Sequence, residues 1–243
     1  MTSLQTKHVT FAALLLALGI FAGLATLGTT TASALTKFRA LDRTVIVKGL
    51  AVREVAADIV IWPLQYTAAS NDLPALYETL DAQRKLIETH LVNAGIKASA
   101  ISVAAPAIVD KKAQQYGDAQ STPFRYSATQ VVTVYSNAID RVRSVVESLS
   151  ELGKQGIVFS GATYENKTEY LFTHLNAIKP GMLEEATKHA RSAAEKFAVD
   201  SASRVGKIKK ATQGQFSISA RDKNNPHIKR VRVVSTIEYY LVD

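Results

Sequence analysis

The feature that most constrains this chain is a long run near its start, since no residue between His8 and Lys37 carries a charge. Its core is VTFAALLLALGIFAGLATLG, the 20 residues from Val9 to Gly28. As an α-helix rising about 1.5 Å per residue, this core would be roughly 30 Å long, which matches the hydrocarbon thickness of a bilayer. We therefore predict a membrane helix, including Val9 and Leu15, within an N-terminal segment of residues 1–36.

The same segment also has features of a cleaved secretory signal, because Ala32-Ser33-Ala34 fits a cleavage site. The apolar run is longer than the roughly 7–15 residues usual for signals, which favours a retained anchor. Gly19 and Gly23 form a small-xxx-small pair that would let two such helices approach closely, but glycine is also simply common in membrane helices. These alternatives stay open.

The charges that flank the run conflict over orientation. Only Lys7 and the amino terminus precede it, whereas Lys37, Arg39 and Arg43 follow it. A positive-inside count would keep the folded part in the cytoplasm. The signal-like N-terminus argues instead for export.

Residues 37–243 alternate between strand and helix patterns and are predicted to form one domain. We predict strands at 44–48, at 52–68 as one long extended segment, and at 101–109, 124–136, 157–160, 169–173, 216–219 and 228–242. Three helices are predicted at 73–94, 139–152 and 181–205. Gly49 is expected to break the first strand, and Gly95 and Gly153 to end the first two helices. Hairpins and helices without strict βαβ alternation indicate an α+β fold.

Some side chains are assigned to faces by their spacing. On the long extended segment Val60, Trp62 and Leu64 share one face, and Pro63 suggests an edge or a bulge. The third helix has an alanine-rich inner face that also includes Phe197. Close packing against a sheet or another helix is expected there.

The sequence contains no pattern that signals a reaction. It has no phosphate-binding glycine loop, nucleophile elbow or zinc-protease helix motif. There is no cysteine, and no histidine has a partner at strong metal-ligand spacing. Glu184-Glu185 fits the first turn of the third helix, where acids favour the helix dipole. We predict no catalytic residue, no metal site, no cofactor and no enzymatic activity.

Two features are candidates for contacts between subunits. Arg53 and Glu54 are opposite charges between strands, and Trp62 is the only tryptophan. Arginine and tryptophan are over-represented at interfaces. The alternative is a local surface pair and an indole in the core.

A net charge of +8 suggests an acidic partner. Between residues 200 and 243 there are nine Lys/Arg and four Asp/Glu. Lys229, Arg230 and Arg232 on the last strand, with Tyr240, could bind an acidic partner or anionic lipid. A solvated sheet face is the alternative, and no nucleic acid is predicted as a partner.

The stretch RTVIVKGLAVREVAADIVIWPLQYTAASNDL resembles the start of the SIMPL-domain family. The features that carry the resemblance are V-x-G at 47–49, R-E-V-x-A-D at 53–58 and a capped helix that ends in Asn93-Ala94-Gly95-Ile96. The later runs LEEATKHARSAAEKFA and GKIKKA match the alanine-rich helix of that family and the glycine-led turn into a strand that follows it. The resemblance covers residues 43–243.

The resemblance implies an α+β domain with an export signal or an anchor, in the periplasm or at the outer envelope. Some members form large hollow ring-like oligomers, and others are linked to oxidative-stress defence. No catalytic residues come with the family. Ile61-Trp62-Pro63 and the long N-terminal run are similar to its anchored branch. The expectation is a single-pass inner-membrane protein with its domain in the periplasm that forms a homo-oligomer. The alternative is a basic-faced module that binds an acidic envelope partner or anionic lipid.

Overall fold

The computed structural model describes residues 2–41, 43–113, 123–161 and 166–242, and side-chain environments in the first helix only for 16–35. The helices are α1 (Thr2–Leu41), α2 (Leu73–Asn93), α3 (Ile139–Lys154) and α4 (Leu175–Asp200), with a short 3-10 helix at Ala98–Ala100. The strands are β1 (Thr44–Ala56), β2 (Ile59–Ser70), β3 (Ile101–Val103), β4 (Ala107–Asp110), β5 (Tyr126–Ser136), β6 (Val158–Phe159), β7 (Glu169–Leu171), β8 (Arg204–Gln213), β9 (Ser217–Ala220) and β10 (Ile228–Val242). The predicted α+β class, with three α-helices after α1 in these residues, is confirmed.

The chain divides into two compact units, each described by itself. The anchor unit comprises Met1–Ala51, Leu183–Gln215 and Val233–Asp243. The six-stranded unit comprises Val52–Met182 and Phe216–Arg232. The predicted boundary at residue 36 falls within α1.

The six-stranded unit is built on an antiparallel sheet in the order β3-β5-β2-β6, with β4 also on β5 and β7 also on β2. The predicted face of β2 is confirmed, since Val60, Trp62 and Leu64 are all buried. These side chains share one core cluster with Leu76, Leu80, Ile87 and Leu91 of α2 and with Val142, Val145 and Leu152 of α3. Asp72 caps α2 by accepting a hydrogen bond from Ala75 N at 2.8 Å, as predicted from the sequence.

The anchor unit places α4 against part of a second sheet, whose strand order is β1-β10-β8 with β9 on β10. Its core contains Val47, Ile237 and Tyr239 from the strands and Ala190 and Ala194 from α4. The alanine-rich face is confirmed, but Phe197 is 58% exposed and does not belong to it. The buried alanines recur every four residues along α4, at 186, 190, 194 and 198, and Phe197 is off this stripe.

Of three predictions that rested on glycine, two were wrong. β1 continues through Gly49, because this glycine serves the close approach of α4 and does not end the strand. α3 continues past Gly153, and the left-handed residue beyond it is Gly156, with φ +87°. Only Gly95, with φ +85°, lies where predicted, directly after the end of α2.

Other element boundaries also differ from the prediction. The predicted strand 101–109 is two strands, β3 and β4, separated around Pro106, which has no N–H to donate.

The third helix begins earlier, at Leu175, and ends at Asp200, with Pro180 inside it. Glu184 therefore lies well beyond the first turn, where its partner is Lys188 at 2.7 Å. The residues after Asp200 lead into β8, which contains GKIKKA and confirms the strand that the family resemblance implies there.

The predicted edge or bulge at Pro63 is wrong, because β2 is an interior strand and pairs with β5 in unbroken register. Pro63 is opposite Thr133 of β5 on one side. On the other side, β7 pairs with residues 59–61 and β6 with residues 66 and 67. Pro63 falls in the interval between these two short strands, where its missing N–H breaks no observed pairing.

Candidate functional site

The N-terminal helix has the properties of a membrane span. Leu16–Leu35 is long and apolar enough to cross a bilayer and none of it is buried in the fold, although a signal sequence passes the same test. Hydroxyls in its second half donate to carbonyls three or four residues earlier, as Thr26 does to Ala22 at 2.9 Å. Such bonds satisfy polar groups that lipid cannot. Gly19, Gly23 and Gly28 lie in α1 with open space where a Cβ would be, and the side chains of Val9 and Leu15 lie outside the described part.

β1 is an edge strand with one row of backbone groups directed away from its sheet. Leu241 N donates to Arg43 O, and Ala57 N donates to His227 O, both at 2.8 Å. Arg43 and Ala57 flank β1 directly and are both odd-numbered, and backbone groups alternate in direction along an antiparallel strand. The N–H and C=O groups of the even residues 44–56 therefore point outward. We call this row the assembly edge.

One contact on the assembly edge confirms its direction. His189 of α4 lies with Nδ1 at 2.7 Å from Leu50 O, which is on the outward row. Gly49, beside it, faces α4 so closely that a Cβ would lie 1.8 Å from Ala186 O. The helix therefore crosses β1 at this point and leaves the residues before and after it, 44–48 and 52–56, as two outward stretches.

The exposed side chains of β1 are mostly apolar. Ile46 is 65% exposed, Leu50 is 42% exposed and Val52 is 41% exposed. Only Lys48 and Glu54 interrupt this even-numbered row with charge. An exposed apolar edge strand is a template for pairing with another strand.

Arg53 and Glu54 do not act as a pair, because successive strand residues point to opposite faces. The Arg53 guanidinium lies beside Gly181 of α4. Glu54 lies between Arg221, at 3.8 Å, and Arg230, at 4.0 Å. These are long, exposed contacts and contribute little to stability.

Trp62 lies in the core of the six-stranded unit with 5% of its surface exposed. An indole covered by its own fold presents almost no surface to a second copy. Of the two interpretations of Trp62, a subunit contact or a core indole, the structure therefore supports the core indole.

The three predicted bases of β10 do not share one face. Arg230 and Arg232 are exposed, whereas Lys229 is partly buried on the side of Val231. Burial lowers the pKa of Lys229. Only the two arginines remain as a basic pair on this strand, because the side chains of a strand alternate.

The sequence reading missed a carboxylate at the connection between β1 and β2. Asp58 Oδ2 accepts hydrogen bonds from Thr173 N at 2.8 Å, Thr173 Oγ1 at 3.1 Å, His174 N at 3.3 Å and His174 Nδ1 at 2.6 Å. Burial alone would raise the pKa of Asp58, but these bonds hold it below its ordinary value. Asp58 thus fixes the segment that leads into α4. The sequence feature that could have indicated this role is the position of Asp58 at the end of R-E-V-x-A-D, between two predicted strands.

Among the described residues, no group of three or more His, Asp or Glu side chains could hold a metal ion. The basic residues of β8 were also missed as a group, because the prediction of a basic face was confined to the last strand. Lys207, Lys209 and Lys210 are exposed on this second edge of the sheet.

A family model described as SIMPL, protein of unknown function (DUF541), matches residues 45–234. No curated protein matches the chain. The matched range begins inside β1 and ends inside β10, so it takes in both sheets and helices α2 to α4. The chain therefore belongs to the SIMPL family, whose function is unknown.

Proposed function

We propose that this chain is a non-enzymatic, membrane-anchored protein whose copies assemble into a homo-oligomer through the assembly edge of β1. In this proposal α1 is a retained single-pass anchor in the inner membrane, and the folded domain lies in the periplasm. Neither a cofactor nor a nucleic acid takes part. A link to envelope stress defence is part of the proposal on the family resemblance alone.

The observation that carries this proposal is that β1 is the longest described edge strand and has little protection. Natural proteins blunt edges with lysine, proline, bulges or very short strands. β8 carries three lysines, and its pairing with β10 shifts register twice. The β3–β4 edge is broken around Pro106, and β6 and β7 have only two and three residues.

Over its 13 residues, β1 is protected only by a single lysine and by the contact of His189 from α4 with Leu50 O. It contains no proline. Two backbone bonds flank the strand, one from Leu241 N to Arg43 O and one from Ala57 N to His227 O. The same number of residues separates the two bonds on both strands, so β1 has no net bulge. The anchor supports the same conclusion, because it would concentrate copies on one surface and raise the effective concentration of their edges.

Proline on the assembly edge is the first test. The N–H groups of Ile46 and Val52 point outward, so Ile46→Pro and Val52→Pro remove no bond to β10 but block strand addition. We expect the wild-type protein in mild detergent to be a discrete oligomer of uncleaved chains by light scattering and intact-chain mass spectrometry. The double proline variant should be a monomer.

The matched controls are Ile46→Thr and Val52→Thr, which keep the N–H and the β-branched shape and should still assemble. Circular dichroism would establish that the proline variants fold. A wild-type monomer, or a folded double proline variant of unchanged mass, would overturn the assembly proposal. A chain that starts near Leu35 would overturn the retained anchor.

A second candidate function is the binding of an acidic envelope partner through Arg230 and Arg232. The observation that favours it is that both guanidinium groups are exposed on one strand face. Under this function, the wild-type protein should be retained on immobilised poly-glutamate at about 0.15 M salt, where charges are screened over roughly 8 Å. Replacement of Lys229, Arg230 and Arg232 by serine should abolish this retention. The control replaces Lys97, Lys112 and Lys223, which removes the same charge elsewhere. Equal retention of the two triple variants would exclude this function.

A further inference from the structure

The strands of the anchor unit have one face covered by α4 and one that the unit leaves open. On the covered face, Val47, Ile237 and Tyr239 pack against α4 alanines. We call the open face the outer sheet face. It includes Ile46 and Lys48 of β1, Lys209 and Lys210 of β8 and Tyr240 of β10. A shallow depression on it, of about 190 Å³, is lined by Ile46, Lys210, Thr212, Thr236 and Glu238.

Charge is segregated between the two sides of the anchor unit. Its strands carry five bases against one acid, Glu238, for a net charge of +4. The five bases are Lys48, Arg204, Lys207, Lys209 and Lys210. The α4 residues of the same unit carry three bases against four acids, for a net charge of −1. An electropositive sheet beside a balanced helix favours an anionic partner on the sheet side.

The outer sheet face also has the apolar and aromatic content of a surface that meets lipid headgroups. Ile46 is 65% exposed and lies among the lysines. Lys209 Nζ lies 5.5 Å above the Tyr240 ring and 3.5 Å from Glu238. Tyrosine and lysine both have an apolar body and a polar tip, which suits the boundary between water and acyl chains.

The anchor itself supplies the partner. α1 ends at Leu41 and Ile46 follows five residues later. Five extended residues span at most roughly 18 Å. The outer sheet face therefore begins within that distance of the end of α1, and Arg43 adds a further base between them. The apolar span ends at Leu35, and the six helical residues from there to Leu41 add about 9 Å.

We propose that the outer sheet face rests on the anionic headgroups of the membrane that holds α1. Lys48, Lys209 and Lys210 make the electrostatic contact, and Ile46 and Tyr240 enter the headgroup region. This contact uses the side-chain face of the sheet and leaves the backbone of the assembly edge available, so it stands independently of homo-oligomer formation. Neutralising the three lysines should shift the balance between docked and undocked states on the order of 100-fold, since each cation near an anionic surface contributes about five-fold.

The chain has no cysteine, so a single introduced cysteine labels one position. Thr212→Cys reports on the outer sheet face, and Ser192→Cys on the exposed side of α4 serves as the matched control. Full-length protein, labelled with a fluorophore, would be placed in nanodiscs of phosphatidylcholine alone or with 30% phosphatidylglycerol. Quenching by neutral acrylamide in water and by headgroup-attached nitroxide lipids would then be compared.

We expect the Thr212 label to become several-fold less accessible to acrylamide and more strongly quenched by nitroxide lipid in the anionic discs only. Salt at about 1 M, where the screening length is roughly 3 Å, should reverse the change. The variant with Lys48, Lys209 and Lys210 replaced by glutamine should show none of it while it unfolds at an unchanged temperature. The Ser192 label should not respond to lipid charge.

Equal accessibility of the Thr212 label in both kinds of disc would overturn the proposal. So would protection that is the same in neutral discs and in high salt, because another protein surface would then cover the face. Repeating the measurement on a Val52→Pro variant whose monomeric mass has been established by light scattering separates the two proposals, since loss of assembly should leave lipid docking intact.

Discussion

Gly49→Ala is expected to destabilise the anchor unit by about 3 kcal/mol or more, the upper part of the range for overpacked cores. A Cβ at this position would lie 1.8 Å from Ala186 O and 2.5 Å from Ala190 N. Both atoms belong to the α4 backbone, so no side-chain rotation can relieve the contact. The helix would have to move away from β1 and open the core around Val47 and Tyr239.

Urea unfolding in mild detergent, followed by far-UV circular dichroism, measures this loss. Gly153→Ala is the matched control, because no atom lies within 4 Å of its Cβ position and the residue is inside α3. That variant should gain about 0.5–1 kcal/mol, since alanine favours a helix over glycine. If the two variants unfold at the same urea concentration, α4 does not pack on β1 in the way described.

Asp58→Asn is expected to cost the six-stranded unit about 2 kcal/mol at pH 7, the range for hydrogen bonds to a charged group. The change keeps the size of the side chain but removes the charge that four donors from Thr173 and His174 share. The Asp58 side chain is only 19% exposed, so water replaces these bonds poorly. Fluorescence of Trp62, the only tryptophan and a core residue, reports unfolding of this unit.

The same substitution should show a defined dependence on pH. The pKa of Asp58 is lower in the fold than its ordinary value, so its stabilisation is fully present above about pH 4 and is lost as the pH falls through the folded pKa. The difference in unfolding free energy between wild type and Asp58→Asn should therefore be constant from pH 5 to pH 7 and shrink below about pH 4. A difference that stays constant down to about pH 2 would contradict the charge-based account.

Asp72→Asn is the control for this experiment. Asp72 also accepts a backbone hydrogen bond, from Ala75 N, but it is exposed and caps α2. Asparagine caps a helix about as well as aspartate, so this variant should stay within about 0.5 kcal/mol of wild type. A large loss here would show that any change of aspartate to asparagine is costly in this domain.

Local sequence patterns were sufficient to predict most helices and strands of the fold. β5 and β10 lie where alternation predicted them, and α2 starts after Asp72 and ends before Gly95 as its cap residues indicated. These elements follow from the periodicity of apolar residues, from helix-capping side chains and from the conformational freedom of glycine, all of which act over a few neighbouring residues. The same is true of α1, whose length and lack of charge already predict a membrane span.

The candidate site was only partly predictable. The sequence drew attention to β1 through Arg53 and Glu54, but the relevant feature is the direction of backbone groups, which depends on which residues bond to β10. Trp62 was a candidate contact and is a core residue. Lys229 was grouped with Arg230 and Arg232, although burial separates it from them.

By itself, the sequence determined the apolar N-terminal helix, the α+β class and the family, because these depend on composition, periodicity and short motifs. The tertiary structure alone decided that Gly49 is a packing residue and not a strand end, since a glycine beside open space and one beside Ala186 O look the same in sequence. It also decided that β1 is an edge and that Asp58 gathers donors from residues 173 and 174. Those facts join positions more than 100 residues apart, and no local pattern encodes such a pairing.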